Sequence, residues 1–318
     1  MDYDFSKPYR TVKWLEEVKN RELKIPLCIP SYKRPHAPIF SKRSKIFPYF
    51  DPRWVYVFIR KEDYEDYKFL EGRVTLMILP ETIKELGMTR DYIMQWAYDT
   101  GYENIFMFDD RFLSVFPLAP RLTKNGKLIL AVMPNSDPYE TLKMWEYLHT
   151  KVYYPTTISN VMIRGREWYP VNINKEIKPN GGGGAFMYYC INVRDCLDND
   201  VRFKNVYEWG LDDVSMTYRT LLKGLPVRQF TDMAYLEVHG DLVHAKSPSP
   251  SGSNATMLGH DRESRLQAVG KLFCEKILGG ANKYNGIKVP GLRFVDDYWT
   301  VPEYSRYWVK YYQEHGIK

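Results

Sequence analysis

The sequence predicts an α/β fold, a mixed and largely parallel sheet flanked by helices. Strand-like and helix-like segments alternate through about the first 110 residues. That pattern builds parallel strands joined by right-handed helical crossovers. Within it, the apolar run Ile105-Phe106-Met107-Phe108 passes directly into Asp109-Asp110-Arg111, and open α/β sheets bind ligands beyond the carboxyl ends of their strands. The order then changes to a hairpin pattern, which adds antiparallel members to the sheet.

Residues 10–20 (RTVKWLEEVKN) read as a short surface helix. Ile25 to Pro30 is the first strand and ends in Ser31-Tyr32-Lys33-Arg34-Pro35. Trp54 to Ile59 is the second, rich in the β-branched and aromatic residues that suit a pleated sheet. Asp63 to Leu70 is helical, and Val74 to Leu79 forms the third strand. Thr89 to Thr100 places Tyr92, Ile93, Trp96 and Ala97 at helical spacing, with Thr89 as N-cap and Gly101 as stop. The fourth strand carries the acid pair. Arg121 to Leu130 reads as a hairpin around Asn125-Gly126. A helix follows from about Asp137 to His149, strands lie near Val161 and Phe186, and a helix over Val214–Leu222 closes at Gly224. Lys246 to Asn254 (KSPSPSGSN) is too rich in Ser, Pro and Gly for regular structure. A long helix is expected over Glu263 to Leu278, before an aromatic, basic tail from Tyr298 to Tyr312. The division expected is a catalytic unit over 1–245, with a donor half over about 25–115 and an acceptor half over about 116–245. Residues 246–318 are then a helical and aromatic extension packed on the same unit.

The chain of 318 residues is long enough for a sizeable core. Its 44% hydrophobic and 26% charged content are those of a soluble globular protein rather than a disordered or fibrous one. A net charge of +6 favours an anionic partner such as a nucleotide, nucleic acid or membrane surface. The four cysteines, at 28, 190, 196 and 274, show neither CxxC nor zinc spacing and read as reduced thiols. The N-terminus MDYDFSKPYR lacks an apolar signal segment, and no run of 18 apolar residues offers a membrane span. The expected location is therefore the cytoplasm, that of the host if a phage encodes the chain.

Six short segments carry chemistry. Asp109 and Asp110 repel each other, so they need a cation or strong donors to stay ionised; a strand followed by a polar turn is the plainer reading. In Pro30-Ser31-Tyr32-Lys33-Arg34-Pro35, a tyrosine can stack on a base while Lys33 and Arg34 meet phosphate, or the segment is a tight turn with surface charges. Thr89-Arg90-Asp91 opens a helix, and Arg90 can reach a diphosphate or a strand-end carboxylate, or remain a surface residue. Gly181 to Gly184 run into a strand. They match neither a P-loop nor a dinucleotide fingerprint, and serve as a close-approach wall or as a linker. Glu208-Trp209-Gly210-Leu211-Asp212-Asp213 precedes a helix. One of its acids suits an N-cap, and a carboxylate there facing a cleft can act as general base. His239 and His244 flank Gly240-Asp241 and are candidate metal or phosphate ligands, or structural histidines.

The order of these segments resembles that of GT-A-fold nucleotide-sugar glycosyltransferases, over about residues 25–245. Within that fold it is most similar to the phage-type TET-associated enzymes that glycosylate hydroxymethylated pyrimidines in DNA. The resemblance implies a GT-A-like, Rossmann-type mixed sheet and assigns roles by position. Pro30, Tyr32 and Arg34 would lie near the nucleotide, Arg90 would hold the donor, and Gly183 and Gly184 would border it. Asp109 and Asp110 take the first two places of the DxD motif, Asp110 as ligand of a Mn2+ or Mg2+ that bridges the diphosphate, with His239 as a second ligand. Asp212 or Asp213 would take the acceptor proton in an inverting displacement. Arg111 departs from the pattern, which wants an acid. Pointing inward it would repel a metal and could itself neutralise phosphate; pointing outward it would leave Asp110 as the sole acidic ligand.

The expected function is therefore transfer of a sugar from a nucleotide sugar, UDP-linked by expectation, with hydroxymethylated DNA favoured as acceptor. The basic charge supports DNA, as do Ser41-Lys42-Arg43-Ser44-Lys45 and the tail segment Arg306-Tyr307-Trp308-Val309-Lys310-Tyr311-Tyr312. An ordinary solvated surface accounts for the same charges. A glycan or lipid-linked acceptor is an alternative, as is a nucleic-acid-binding module on a decayed transferase fold. A metal nuclease finds no supporting spacing. The sequence leaves the oligomeric state open.

Overall fold

The computed structural model describes residues 4–41, 44, 50–84, 86–163, 177–179, 188–203, 216, 220, 223, 225–237, 294–295 and 298–299. Helix α1 spans Arg10–Val18 and strand β1 Leu27–Pro30. Strand β2 is Val55–Ile59, so Trp54 belongs to the short 3-10 turn before it. The segment from Lys61 to Leu70 is helical, as expected, with a single α-turn, α2 (Tyr64–Tyr67), between two 3-10 turns. Strand β3 is Thr75–Ile78, helix α3 Leu86–Asp99 and strand β4 Asn104–Phe108. The hairpin follows as β5 (Phe112–Leu122) and β6 (Leu128–Val132). It closes between Thr123 and Lys127, and only Gly126 takes a positive φ, 72°. Helix α4 is Pro138–Tyr147. Strands β7 (Ile158–Ile163), β8 (Ile177–Pro179) and β9 (Tyr188–Asn192), helix α5 (Val193–Asp198) and strand β10 (Val227–Glu237) complete the main body.

Ten strands form one sheet in the order β3-β2-β1-β4-β9-β7-β10-β5-β6, with β8 paired to β10. The first four are mutually parallel, as the strand–helix alternation requires. Beyond β4 the sheet turns mixed, because β9 runs antiparallel to both β4 and β7 while β10 is parallel to β7. Strand alternation divides the core into two layers. Phe106 and Phe108 of β4 pack with Leu142, Met144 and Trp145 of α4. Ile105 and Met107 face Ile93, Met94 and Ala97 of α3 and Cys196 of α5. Helices thus cover both faces, which is why the central strands read as nearly continuous apolar runs.

One helix start differs from expectation and another agrees with it. Helix α3 starts at Leu86, so Thr89 lies within its first turn rather than at its cap. Gly101 does end it, at φ 86°. Helix α4 begins at Pro138, capped by Asp137, whose side chain accepts from the Tyr139 N–H at 2.8 Å. Met216 and Thr220 are helical, in keeping with a helix near 214–222. Beyond residue 245 the described residues are Phe294–Val295 and Tyr298–Trp299, which pair antiparallel. The loop at 246–254, the helix at 263–278 and the rest of the tail lie outside the described residues.

Candidate functional site

Connections from β1 go to β2 on one side and, through β3 and α3, to β4 on the other. A crevice opens at such a switch point, beyond the carboxyl ends of the two strands. Pro30 ends β1 there and Phe108 ends β4. The Ser31–Arg34 turn and the Asp109–Arg111 turn are therefore neighbours in space, though nearly eighty residues separate them in the chain.

Alternation at the end of β4 sends the two aspartates to different partners. Asp109 points toward α3, where its Oδ1 accepts from the Arg90 guanidinium at 2.7 Å. Arg90 is buried, at 2% exposure, and its guanidinium lies 5.7 Å from the Phe203 ring centre and 6.0 Å from that of Tyr189. Asp110 points toward β1. Its Oδ2 accepts from Ser31 Oγ at 2.7 Å and stands 3.1 Å from Arg34 Nε. Ser31 Oγ lies 2.7 Å from the Tyr67 hydroxyl, which accepts the Arg34 backbone N–H at 2.9 Å. Because Ser31 gives its one proton to Asp110, Tyr67 is the donor to Ser31. Asp110 is fully buried, and that burial pushes its carboxyl up to about 6, against the pull of Arg34 and Ser31.

Arg111 turns inward. Its side chain is 16% exposed, with a guanidinium nitrogen 3.7 Å from Asp109 Oδ2. Burial works against its charge, but Asp109, Tyr188, Glu237 and Asp110 together outweigh that and hold its pKa above the ordinary value. Three guanidiniums (34, 90, 111) thus stand among the carboxylates of Asp109, Asp110 and Glu237. An acid pair that needed countercharge has it from the protein.

Tyr32 is half-buried with the Arg60 guanidinium 3.9 Å from its ring centre, so Arg60 covers one ring face. Lys33 adopts φ 52° and its N–H donates to the buried Asp63 carboxylate at 3.3 Å. Arg34 spends its guanidinium on Asp110 rather than projecting it outward. Ser31, Arg60, Asp63, Tyr67, Tyr188 and Glu237 carried no assigned role in the sequence. Ser31 stood inside a quoted motif, Tyr188 and Glu237 stood close to the glycine run and to His239, and Arg60, Asp63 and Tyr67 lay outside every quoted motif.

One carboxylate oxygen in the cluster, Asp110 Oδ1, is buried and has no hydrogen-bond partner. Mg2+ and related ions that bind chiefly through substrate phosphates need only one or two protein carboxylates, and this atom fits that requirement. No group of three His, Cys, Asp or Glu side chains able to hold an ion stands ready among the described residues. An ion here would take most of its ligands from phosphate and water. Gly183, Gly184, Asp212, Asp213 and His239 lie outside the described residues, as do Lys42, Arg43, Lys45 and residues 306–312. Cys28, Cys190 and Cys196 are buried free thiols. Among the described residues no helix is long and apolar enough to cross a membrane.

The sequence profile of the TET-associated glycosyltransferases matches residues 50–245, well over half of the chain. No curated protein matches it. Among solved structures, the mannosyltransferase PcManGT of Pyrobaculum calidifontis, in complex with GDP-Man and Mn2+, is 13% identical with a TM-score of 0.49. That match covers 96% of this chain and 81% of the other. TarS of S. aureus is 10% identical with a TM-score of 0.44; the match covers 84% of this chain but only 46% of TarS.

Proposed function

The chain belongs to the TET-associated glycosyltransferase family, and as a glycosyltransferase of that family, we propose, it moves a sugar from a nucleoside diphosphate to the hydroxyl of a 5-hydroxymethylated pyrimidine in DNA. The observation that carries the donor half is the arginine-bound acid pair at the β1–β4 switch point. The family match and the basic balance of the chain support the DNA half.

In this reading the acceptor oxygen attacks the anomeric carbon while the bond to the diphosphate breaks, its electron pair leaving with the phosphate oxygen. Asp212 or Asp213 takes the acceptor proton, and a single displacement inverts the carbon. Arg90 and Arg34 fix Asp109 and Asp110, and Arg111 stabilises the leaving diphosphate. Pro30 and Tyr32 border the nucleotide, and Gly183 and Gly184 form a wall close to the sugar. Mn2+ or Mg2+, held through Asp110 and His239, would neutralise the departing diphosphate. A target base in a duplex is flipped out of the stack to present its hydroxyl.

The test incubates the protein with a panel of nucleotide sugars and hydroxymethylcytosine DNA, reading nucleoside diphosphate release and the mass of the DNA. A hexose or pentose increment on the modified base is the expected result. Transfer to a glycan but to no modified DNA would overturn the acceptor; DNA binding with no release from any donor would overturn catalysis. Asp212→Asn and Asp213→Asn, made separately, identify the base: one of them loses about 100-fold or more in kcat with donor binding kept.

A further inference from the structure

A cavity of about 670 Å³ lies at the opposite end of the sheet from the acid pair, and its size suits a small-molecule site. Trp54, just before β2, lines it, as do Ile25, just before β1, and Asn104, the first residue of β4. The ends of α1 and α4 stand beside them. The donor crevice lies beyond the carboxyl ends of the strands, so the proposed transfer makes no use of this space. The rings of Trp54 and Tyr102 line the cavity 6.1 Å apart, tilted by 58°. Tyr102 is held by a hydroxyl–hydroxyl bond to Tyr56 at 2.9 Å and by the Trp96 ring at 5.7 Å. The less exposed polar groups of the lining are held as well. Glu146 Oε2 accepts the Lys24 backbone N–H at 2.9 Å. Asn104 Oδ1 lies 3.2 Å from His149 Nε2. Lys143 Nζ donates to the Lys19 carbonyl at 2.9 Å and pairs with Glu140 at 2.7 Å.

This lining selects among ligand classes. Glu22, Glu103 and Glu146 oppose Arg21, Lys24 and Lys151, and Lys143 has Glu140. Neither sign of charge prevails, so a phosphate or an organic cation meets repulsion along with attraction. Among the described residues Ile25 is the one aliphatic residue of the lining, too little surface for a lipid. The tilt between Trp54 and Tyr102 leaves no parallel slot for a flat base. On Tyr147 the Arg21 guanidinium already lies 4.3 Å from the ring centre. A sugar ring meets these requirements. Its C–H groups suit the negative faces of aromatic rings, and its hydroxyls both donate and accept, as carboxylate, ammonium and amide together demand. We propose that this cavity binds a neutral sugar ring, packed on Trp54 and Tyr102 and hydrogen-bonded by Glu146, Asn104, Glu103 and Lys151. The side chains of Glu103 and Lys151 are exposed and make no hydrogen bond or ion pair among the described residues. The site is distinct from the donor crevice and does not depend on the donor reading. In a transferase it tethers an acceptor or product that already carries sugar.

The test is saturation-transfer NMR on the full chain, with and without saturating UDP. The probes are glucose, galactose, mannose and arabinose, with adenine and cytosine as flat heterocycles and inorganic phosphate as the anion. At least one sugar should bind, equally well in the presence of UDP. Trp54→Ala should weaken that binding about ten-fold, and Trp54→Phe should restore much of it. Glu103→Ala should weaken it about three-fold, the size of one exposed hydrogen bond. UDP binding should be unchanged in all three. Should Trp54→Ala fail to fold, Glu103→Ala and Lys151→Ala, both at exposed positions, carry the same comparison. Two further probes distinguish the source of the sugar. A glucosylated hydroxymethylcytosine oligonucleotide that binds more tightly than its unglucosylated counterpart, with the gain lost in Trp54→Ala, makes modified DNA the source. Maltotriose that binds more tightly than glucose, with the same loss, makes a glycan the source. Binding of no sugar, sugar binding that UDP abolishes or that none of these variants weakens, or a preference for the bases or phosphate overturns the site. A protein that binds sugar but no UDP overturns the donor reading alone.

Discussion

Asp109 and Asp110 are adjacent in the chain yet belong to separate ion pairs, because successive strand residues point to opposite faces. Each pair is buried, and each is expensive to break by halves. Arg90→Met should cost about 3–5 kcal/mol in urea unfolding, since it leaves Asp109 buried beside Arg111 only. Adding Asp109→Asn should recover much of that loss; a double variant no better than the single would refute the pairing. His149 offers a cleaner view of burial. Trp145 Nε1 donates to Ser159 Oγ, which lies 2.8 Å from His149 Nδ1, and His149 Nε2 lies 3.2 Å from Asn104 Oδ1. Burial, helped by the charge of Arg228, lowers its pKa from 6.5 to about 3. Between those values the unfolded chain binds the extra proton. Stability is therefore complete above about pH 6.5 and falls with acid, by up to about 1.4 kcal/mol per unit for this group. Unfolding free energies at pH 7 and pH 5 should differ less in His149→Gln than in the wild type. Arg34, Arg90 and the acid pair were legible in sequence because each sits at a strand end or helix start. Tyr67 was not, because what gives it a role is the Ser31–Asp110 pair, with Asp110 43 residues away.

Among the elements, the four parallel strands were legible as apolar runs, and the hairpin as a turn signal between two such runs. Helix starts were less so. Thr89 is a good capping residue, yet α3 begins three residues earlier. Capping preference is a local bias of about 1 kcal/mol, and packing of Ile93, Met94 and Ala97 against the sheet outweighs it. Asp137 shows the opposite case, where cap, Pro138 at the first turn and packed face agree. Asp137→Ala should therefore cost about 1 kcal/mol, read as a lower urea midpoint at unchanged slope; no shift would mean that the cap is redundant. The register shift between Leu236 and Glu237 of β10 leaves no mark in the sequence. Its cause is the meeting of β5 and β10, which are more than a hundred residues apart.

For the whole molecule, strand order matters more than strand identity. Placing β4 beside β1 brings two turns together that no local pattern connects. At this scale the prediction concerns DNA. A chain of net charge +6 that neutralises several phosphates should lose affinity for DNA by about 100-fold or more between 50 and 200 mM salt. A salt-insensitive interaction would argue against phosphate contacts and for an acceptor of another kind.

The amino-acid sequence alone determined the fold class, the parallel first half and the position of the acid pair, because periodicity and strand-end chemistry are local properties. Only the tertiary structure decided the direction of Arg111. The side chain there turns inward, with its guanidinium 3.7 Å from Asp109. Countercharge is a property of space rather than of sequence, and the three arginines around two aspartates exist only once the sheet has closed.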